Sequence, residues 1–197
     1  MSERVSALTT KQDLMAQTIT AWNTLVEYVD GLTAEQWTGR RDAAGWSVKD
    51  HVSHVTLWDR AVIAALRNQV PMQETLGISE TAWSAGGFDP MNEEIRHLAD
   101  AEGVEQVKAD RDATWTDLVA LMDELTEEQL AQSGAQAGLA VGTGPLVEPV
   151  LEVLADYWGA HYAEHLQDIQ AIVDGDSATK PGEHPRHGPT QQVTGVG

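Results

Sequence analysis

The sequence predicts an all-α protein: a four-helix bundle with long connections between its helices and a short extra helix before the third long one. Three observations carry this. Stretches at about 10–30, 48–67, 104–124 and 148–173 repeat apolar side chains at three- and four-residue steps, the spacing that places them on one side of a helix. Ser or Thr followed three residues later by Gln or Asp marks a helix start at Thr33, Ser47 and Thr126. No segment alternates apolar and polar residues as a half-buried strand would.

In the first helix Leu14, Ile19, Trp22, Leu25, Val26 and Val29 form the apolar side, and Gly31 is placed to end it. Thr33-Ala34-Glu35-Gln36 then starts a short helical turn carrying Trp37. Gly39 to Gly45 is a charged, glycine-bounded loop. Ser47 and Asp50 open the second long helix, with the acid near the positive helix end. Val48, Val52, Val55, Val62, Ile63 and Leu66 are its apolar side, and Pro71 marks its end. Residues 72–89 are expected to form an irregular connection whose Trp83 and Phe88 pack against the body.

Asp89 as N-cap and Pro90 as first helical residue open a short helix to about Ala101, interrupted at Gly103. The third long helix carries Val107, Trp115, Leu118, Val119 and Leu121 as its buried stripe. Thr126 to Gln129 repeats the capping box, and Gly134 to Gly144 is a small-residue loop. Pro145 and Pro149 fit only a helix start, because a proline deeper inside costs about 3 kcal/mol. The fourth long helix therefore begins near Val147 or Glu148 and continues to Val173, with Gly175 as its cap. Leu151, Leu154, Trp158, His161, His165, Ile169 and Ile172 share one side of it.

Residues 1–175 are thus expected to form one domain. Residues 176–197, rich in Pro, Gly, Thr and Gln, are expected to be a disordered tail in which His184 and His187 are idle. Residues 29–37 (VDGLTAEQW) echo 122–130 (MDELTEEQL), each after a long helix and before a loop leading to a histidine-bearing helix. Either the chain has two similar halves, or a common capping sequence occurs twice.

Twelve Lys and Arg stand against thirty-one Asp and Glu, a formal charge of −19. That field repels phosphate backbones and anionic membranes, so neither a nucleic-acid nor a membrane partner is expected. With no cysteine there is no disulfide, thiolate ligand or Cys nucleophile. Any metal must be held by His and carboxylate. The N-terminus shows no apolar run behind a basic head, so a cytoplasmic protein is expected.

His161 and His165 lie at i and i+4, about 6 Å apart in rise on one helix face, close enough to share an ion. His51 and His54 sit on the second long helix. Bundle metal sites are built from facing helices that each contribute inward ligands. His54, His161 and His165 together offer three imidazole nitrogens and leave a coordination position open, the layout of a catalytic site. The order His161-Tyr162-Ala163-Glu164-His165 lacks the His-Glu-x-x-His arrangement of a zinc-protease helix, so no peptidase is expected.

Gly45-Trp46-Ser47-Val48-Lys49-Asp50-His51-Val52-Ser53-His54, continuing to Trp58-Asp59-Arg60, resembles the second-helix signature of the DinB/YfiT-like superfamily. The last helix, with its His161 and His165, and the Leu-Thr-x-Glu-Gln turns resemble it too, over about residues 10–174. The chain is most similar to the ClbS/DfsB four-helix-bundle group. The resemblance implies that His54, His161 and His165 are a metal triad for zinc, nickel or another divalent ion. His51 is not at a usual ligand position: a fourth ligand, a base behind the ligands and a surface residue all stay open. Members of the superfamily include thiol-dependent transferases and isomerases that use mycothiol or bacillithiol. ClbS-like members protect cells from reactive natural products by opening an electrophilic cyclopropane.

The expected function is a divalent-metal-dependent enzyme, of hydrolase or thiol-transferase type, serving detoxification or self-protection. Water or a low-molecular-weight thiol cosubstrate would attack an electrophilic small molecule. His51, Tyr157 and Asp168 are the candidates for catalytic roles; Trp58, Trp158 and Tyr162 also lie within a turn of the ligands. The alternative is a non-catalytic protein that sequesters a small molecule. A homodimer is an open option.

Overall fold

The computed structural model describes residues 10–142 and 144–175. The expected tail at 176–197, with His184 and His187, lies outside the described residues. The long helices are α1 (Lys11–Asp30), α3 (Val48–Asn68), α7 (Val104–Glu124) and a final rod. The rod is made of α9 (Val150–Leu154), a π-helical turn (Ala155–Ala160) and α10 (His161–Asp174). Between them lie α2 (Ala34–Thr38), α4 (Met72–Leu76), α5 (Glu80–Ser84), α6 (Asp89–Ala99) and α8 (Glu127–Ala131), with a short hairpin of β1 (Ala140–Val141) and β2 (Gly144–Pro145).

Side-chain contacts give the bundle its order. Lys11 at the start of α1 donates to the Asp123 and Leu125 carbonyls at the end of α7, while Arg111 of α7 pairs with Asp30 at 2.8 Å, so these helices are antiparallel. Trp22 and Trp115 stack between them at 4.5 Å. On α3, Arg60 meets Asp110 and Thr114, and Arg67 meets Glu124, so α3 runs parallel to α7. A parallel neighbour cannot be reached by a short turn, and residues 69–103 provide the long crossover. The final rod lies antiparallel to α3 and beside α1. Leu14, Leu25, Val52, Val55, Trp58, Leu118, Trp158 and Ile169 fill the centre, each 1 % exposed or less.

The helix starts follow the capping chemistry. Thr33, Ser47 and Thr126 each accept from the backbone N–H three residues on, and Gln36, Asp50 and Gln129 reach back to the cap. Both echoed segments form a short capped helix, α2 and α8, with Trp37 and Leu130 buried.

Several boundaries differ from the sequence expectation. The connection at 72–89 is not wholly irregular. Met72 and Leu76, one turn apart, bury against α3 and make α4, which closes at Gly77 in the left-handed region (φ 67°). Ser79 caps α5 and is itself held by the Glu94 carboxylate. Gln69, with φ 57°, ends α3 two residues before Pro71. Phe88 caps α6, so Asp89 is its first residue and Pro90 its second. Trp115 and Val119 are only half-buried, and Arg111, Thr114 and Met122 join the buried stripe of α7 instead.

The 134–144 loop carries the small hairpin, and Pro145 lies in it. Pro149 caps α9, so the rod begins at Val150. Its π turn departs from the continuous α-helix expected there. Within that turn a Cβ on Gly159 would lie 2.8 Å from the Gln17 side chain, so the glycine allows α1 its close approach.

Candidate metal centre

Two helix starts build the site. At α3, Asp42 folds its loop onto the helix: its Oδ1 accepts the Trp46 and Ala44 backbone N–H groups at 2.8 and 2.9 Å, and Gly45 supplies the left-handed turn (φ 89°). The Ser47–Asp50 box then starts the helix, and Lys49 and Arg41 hold the Asp50 carboxylate. One turn on stand His51 and His54. From the facing rod, His161 begins α10 immediately after the π turn, with His165 one turn later.

All four imidazoles are buried, His161 being the most exposed at 5 %. The Nε2 atom of His161 lies 3.2 Å from Nε2 of His54 and 3.0 Å from Nε2 of His165. A ring nitrogen either donates or accepts, so three convergent Nε2 atoms cannot all be satisfied by one another except through a single shared proton. A divalent ion ligated at about 2.0–2.1 Å needs neighbouring nitrogens roughly 3.0–3.4 Å apart, so the donor set fits such an ion. A second grouping, His51, His165 and Asp168, also places its candidate ligand atoms within 4.8 Å of one another.

His51 is the link between this cluster and the outside. Its Nδ1 lies 2.7 Å from Nδ1 of His165, and its Nε2 lies 3.3 Å from Oδ2 of Asp42. A carboxylate only accepts, so the ion-pair contact with Asp42 favours a proton on His51 Nε2. In that tautomer His51 Nδ1 can accept from His165 Nδ1–H, an arrangement that puts the His165 lone pair on Nε2, facing His161. Burial works to raise the Asp42 pKa, but hydrogen bonds from His51, Trp46 and Ala44 outweigh it and hold the carboxyl below its ordinary range.

A cleft of about 270 Å³ opens beside His51, lined also by Asp42, Ala44, Trp46, Asp89, Asn92 and Glu93. None of His54, His161 and His165 lines it. The Trp46 ring stands 5.2 Å from His51, 5.1 Å from His54 and 6.4 Å from His165, covering the cluster on that side.

Tyr157 is buried against Trp58 at 5.7 Å, away from the cleft, and its hydroxyl has no hydrogen-bond partner among the described residues. Desolvation pushes its pKa up. Asp168 is half-buried beside His51 and His165. Trp158 is core, and Tyr162 donates to Asp59 at 2.7 Å between α3 and α10. His51 is buried, which removes the surface alternative.

Sequence reasoning missed Asp42 and Asn92, and it placed Asp59 in the second-helix motif without giving it a role. Asp42 carried one signal, an acid three residues before the loop glycine Gly45. Asn92 carried none, since it sits on a short helix among ordinary polar neighbours.

A helical bundle whose second and last long helices converge three buried imidazoles belongs to the class of bundles with a metal-competent core. The family model described as DinB superfamily matches residues 17–169, from α1 through both histidine pairs. The chain belongs to the DinB superfamily. No curated protein and no solved structure matches it.

Proposed function

We propose that the protein is a metal-dependent enzyme that turns a small nucleophile, water or a low-molecular-weight thiol, against an electrophilic small molecule. The observation that supports this reading is the convergence of the His54, His161 and His165 Nε2 atoms within 3.0–3.2 Å contacts in a buried core. These three residues would hold a divalent ion, zinc or nickel, whose Lewis acidity lowers the pKa of a nucleophile at neutral pH. His165 keeps its proton on Nδ1 and its lone pair on Nε2 because His51 and Asp42 stand behind it. Trp46 excludes bulk water from the cluster, and the cleft beyond it admits the substrate. Detoxification or self-protection, the role that the ClbS/DfsB resemblance implies, fits an enzyme with these parts.

A second reading, a protein that sequesters its ligand without turnover, is favoured by one observation: the three ligand histidines do not line the cleft. Elemental analysis of freshly purified protein tests the first reading. About one divalent ion per chain is expected, lost in His161→Ala. Wild-type protein that stays metal-free after incubation with zinc, nickel and manganese overturns it. Protection that stops at one equivalent of ligand per chain, with no product, supports sequestration.

A further inference from the structure

Both ring nitrogens of His165 meet another imidazole. Nε2 lies 3.0 Å from His161 Nε2, and Nδ1 lies 2.7 Å from His51 Nδ1. The triad uses only Nε2, so Nδ1, on the other edge of the ring, belongs to the His51 side. Asp168 joins that side. It follows His165 by three residues, so His161, His165 and Asp168 fall at i, i+4 and i+7 along one stripe of α10.

His51, His165 and Asp168 each place a ligand atom within 4.8 Å of the other two. A shared proton accounts for the two histidines by themselves. That hydrogen bond needs no carboxylate, whereas two imidazoles and a carboxylate at ligand distance are a donor set for a cation. Behind His51 stands Asp42, 3.3 Å from its Nε2. A carboxylate on the far nitrogen is the support that metal-bound histidines have, and it leaves His51 Nδ1 with its lone pair. The cleft beside His51 gives the approach. Asp42, Asp89 and Glu93 line it and, among the described residues, no Lys or Arg does, so a cation enters more readily than an anion.

We propose that His51 Nδ1, His165 Nδ1 and the Asp168 carboxylate form a second, weaker site for a divalent transition-metal ion, with His165 bridging it to the ion of the His54, His161 and His165 triad. The bridge rests on the triad reading; the three outer ligands do not. The ion takes the place of the proton shared by the two rings. That proton leaves to solvent, and His165 bridges as an imidazolate. Two nitrogens on one ion at about 2.0–2.1 Å stand roughly 3.0–3.4 Å apart, so the two rings part by a few tenths of an ångström. Two imidazoles and one carboxylate suit zinc, copper or nickel rather than magnesium or calcium, which take oxygen ligands. Three protein donors leave a position for water or a substrate atom. His51 lines the cleft and His54, His161 and His165 do not, so the outer ion is the one that an entering small molecule meets first.

Zinc titration of the full chain by equilibrium dialysis and copper(II) titration read by electron paramagnetic resonance test the proposal. Two dications about 6 Å apart across one imidazole repel each other even at the dielectric of water, so the second zinc should bind about 100-fold more weakly than the first. Asp168→Asn should weaken the second zinc at least about tenfold and leave the first within about twofold. His51→Ala should remove the second. In the wild type, one copper per chain should give the signal of an isolated ion. Two should give a smaller signal than one, because a bridging imidazolate couples the two spins antiferromagnetically; this measurement needs no variant. No second zinc up to millimolar concentration overturns the proposal, as do two coppers whose signals add. A second zinc kept in both variants also overturns it, since exposed histidines such as His97 would then hold that ion. A single zinc lost in His161→Ala and untouched by Asp168→Asn leaves the triad reading and overturns the outer site. A single zinc kept in His161→Ala and lost in Asp168→Asn removes the triad reading and leaves the outer ligands standing.

Discussion

His51 Nδ1 lies 2.7 Å from His165 Nδ1, and both rings are buried. Two imidazole nitrogens at that distance share one proton, and Asp42 at the far side of His51 decides which ring supplies it. Asp42→Ala should therefore weaken zinc binding about 10- to 100-fold, the range seen when a group orienting a histidine ligand is removed. Asp42→Asn should lose less, because its carboxamide oxygen still accepts from His51 Nε2–H. Competition with a chromophoric chelator reads the affinity. Histidine ¹⁵N shifts of the metal-free protein should show His165 protonated at Nδ1 in the wild type and a mixture of tautomers in Asp42→Ala. An unchanged affinity and tautomer would remove Asp42 from the site.

His161 sits between the other two Nε2 atoms, so its loss separates them. His161→Ala should leave two imidazoles that share no ion tightly, and uptake should fall below about 0.1 ion per chain at micromolar zinc. His51→Ala removes no Nε2 from the triad. It should keep one ion per chain and bind it more weakly. Equal losses in the two variants would mean that His51 is itself a ligand.

The capping boxes give a stability series. Thr33→Ala and Thr126→Ala, in the two echoed capping boxes, should each cost about 1 kcal/mol in urea unfolding. Ser47→Ala should cost more, about 2 kcal/mol, because Ser47 is fully buried and its hydroxyl also meets the Asp50 carboxylate at 2.8 Å. Ser47 should also affect the site, since its box sets the start of the helix that carries His51 and His54. Three equal costs would show that burial of the Ser47 box adds nothing.

The long helices and three of the caps were legible because they depend on local spacing: Thr10 to Asp30 and Val104 to Glu124 follow from apolar periodicity and flanking caps alone. The histidine pairs were legible for the same reason, being four and three residues apart on helices. What was not legible depends on contacts far apart in sequence. The π turn before His161 holds Gly159 against Gln17 of α1, a long-range contact that no local pattern encodes. Asp42 reaches His51 only because Gly45 turns the loop back, and Asn92 meets the cleft because α6 crosses the start of α3. Short helices such as α4 owe their form to the burial of Met72 and Leu76 against α3, so the sequence alone reads as a connection.

Asp59 and Tyr162 tie α3 to α10 by a hydrogen bond of 2.7 Å, with Asp59 2 % exposed and Tyr162 fully buried. Desolvation pushes the Asp59 carboxyl well above its ordinary range, against the lowering effect of the Tyr162 hydroxyl. The folded chain therefore holds a proton on Asp59 at pH values where the unfolded chain has released it. Stability from this group is complete below the unfolded pKa near 4 and is lost as pH rises toward the folded value, at about 1.4 kcal/mol for each tenfold change in proton activity. Asp59→Asn accepts the same Tyr162 hydrogen bond and carries no charge to bury. The difference between variant and wild-type unfolding free energies should thus climb from about pH 4 toward neutrality and favour the variant at pH 7. Asp156 and Glu164 are raised too, and Asp42 and Asp50 lowered, so the single curves are composite and the difference curve is the informative one. A difference that is flat between pH 4 and 7 would mean that Asp59 ionises as readily in the fold as in the open chain.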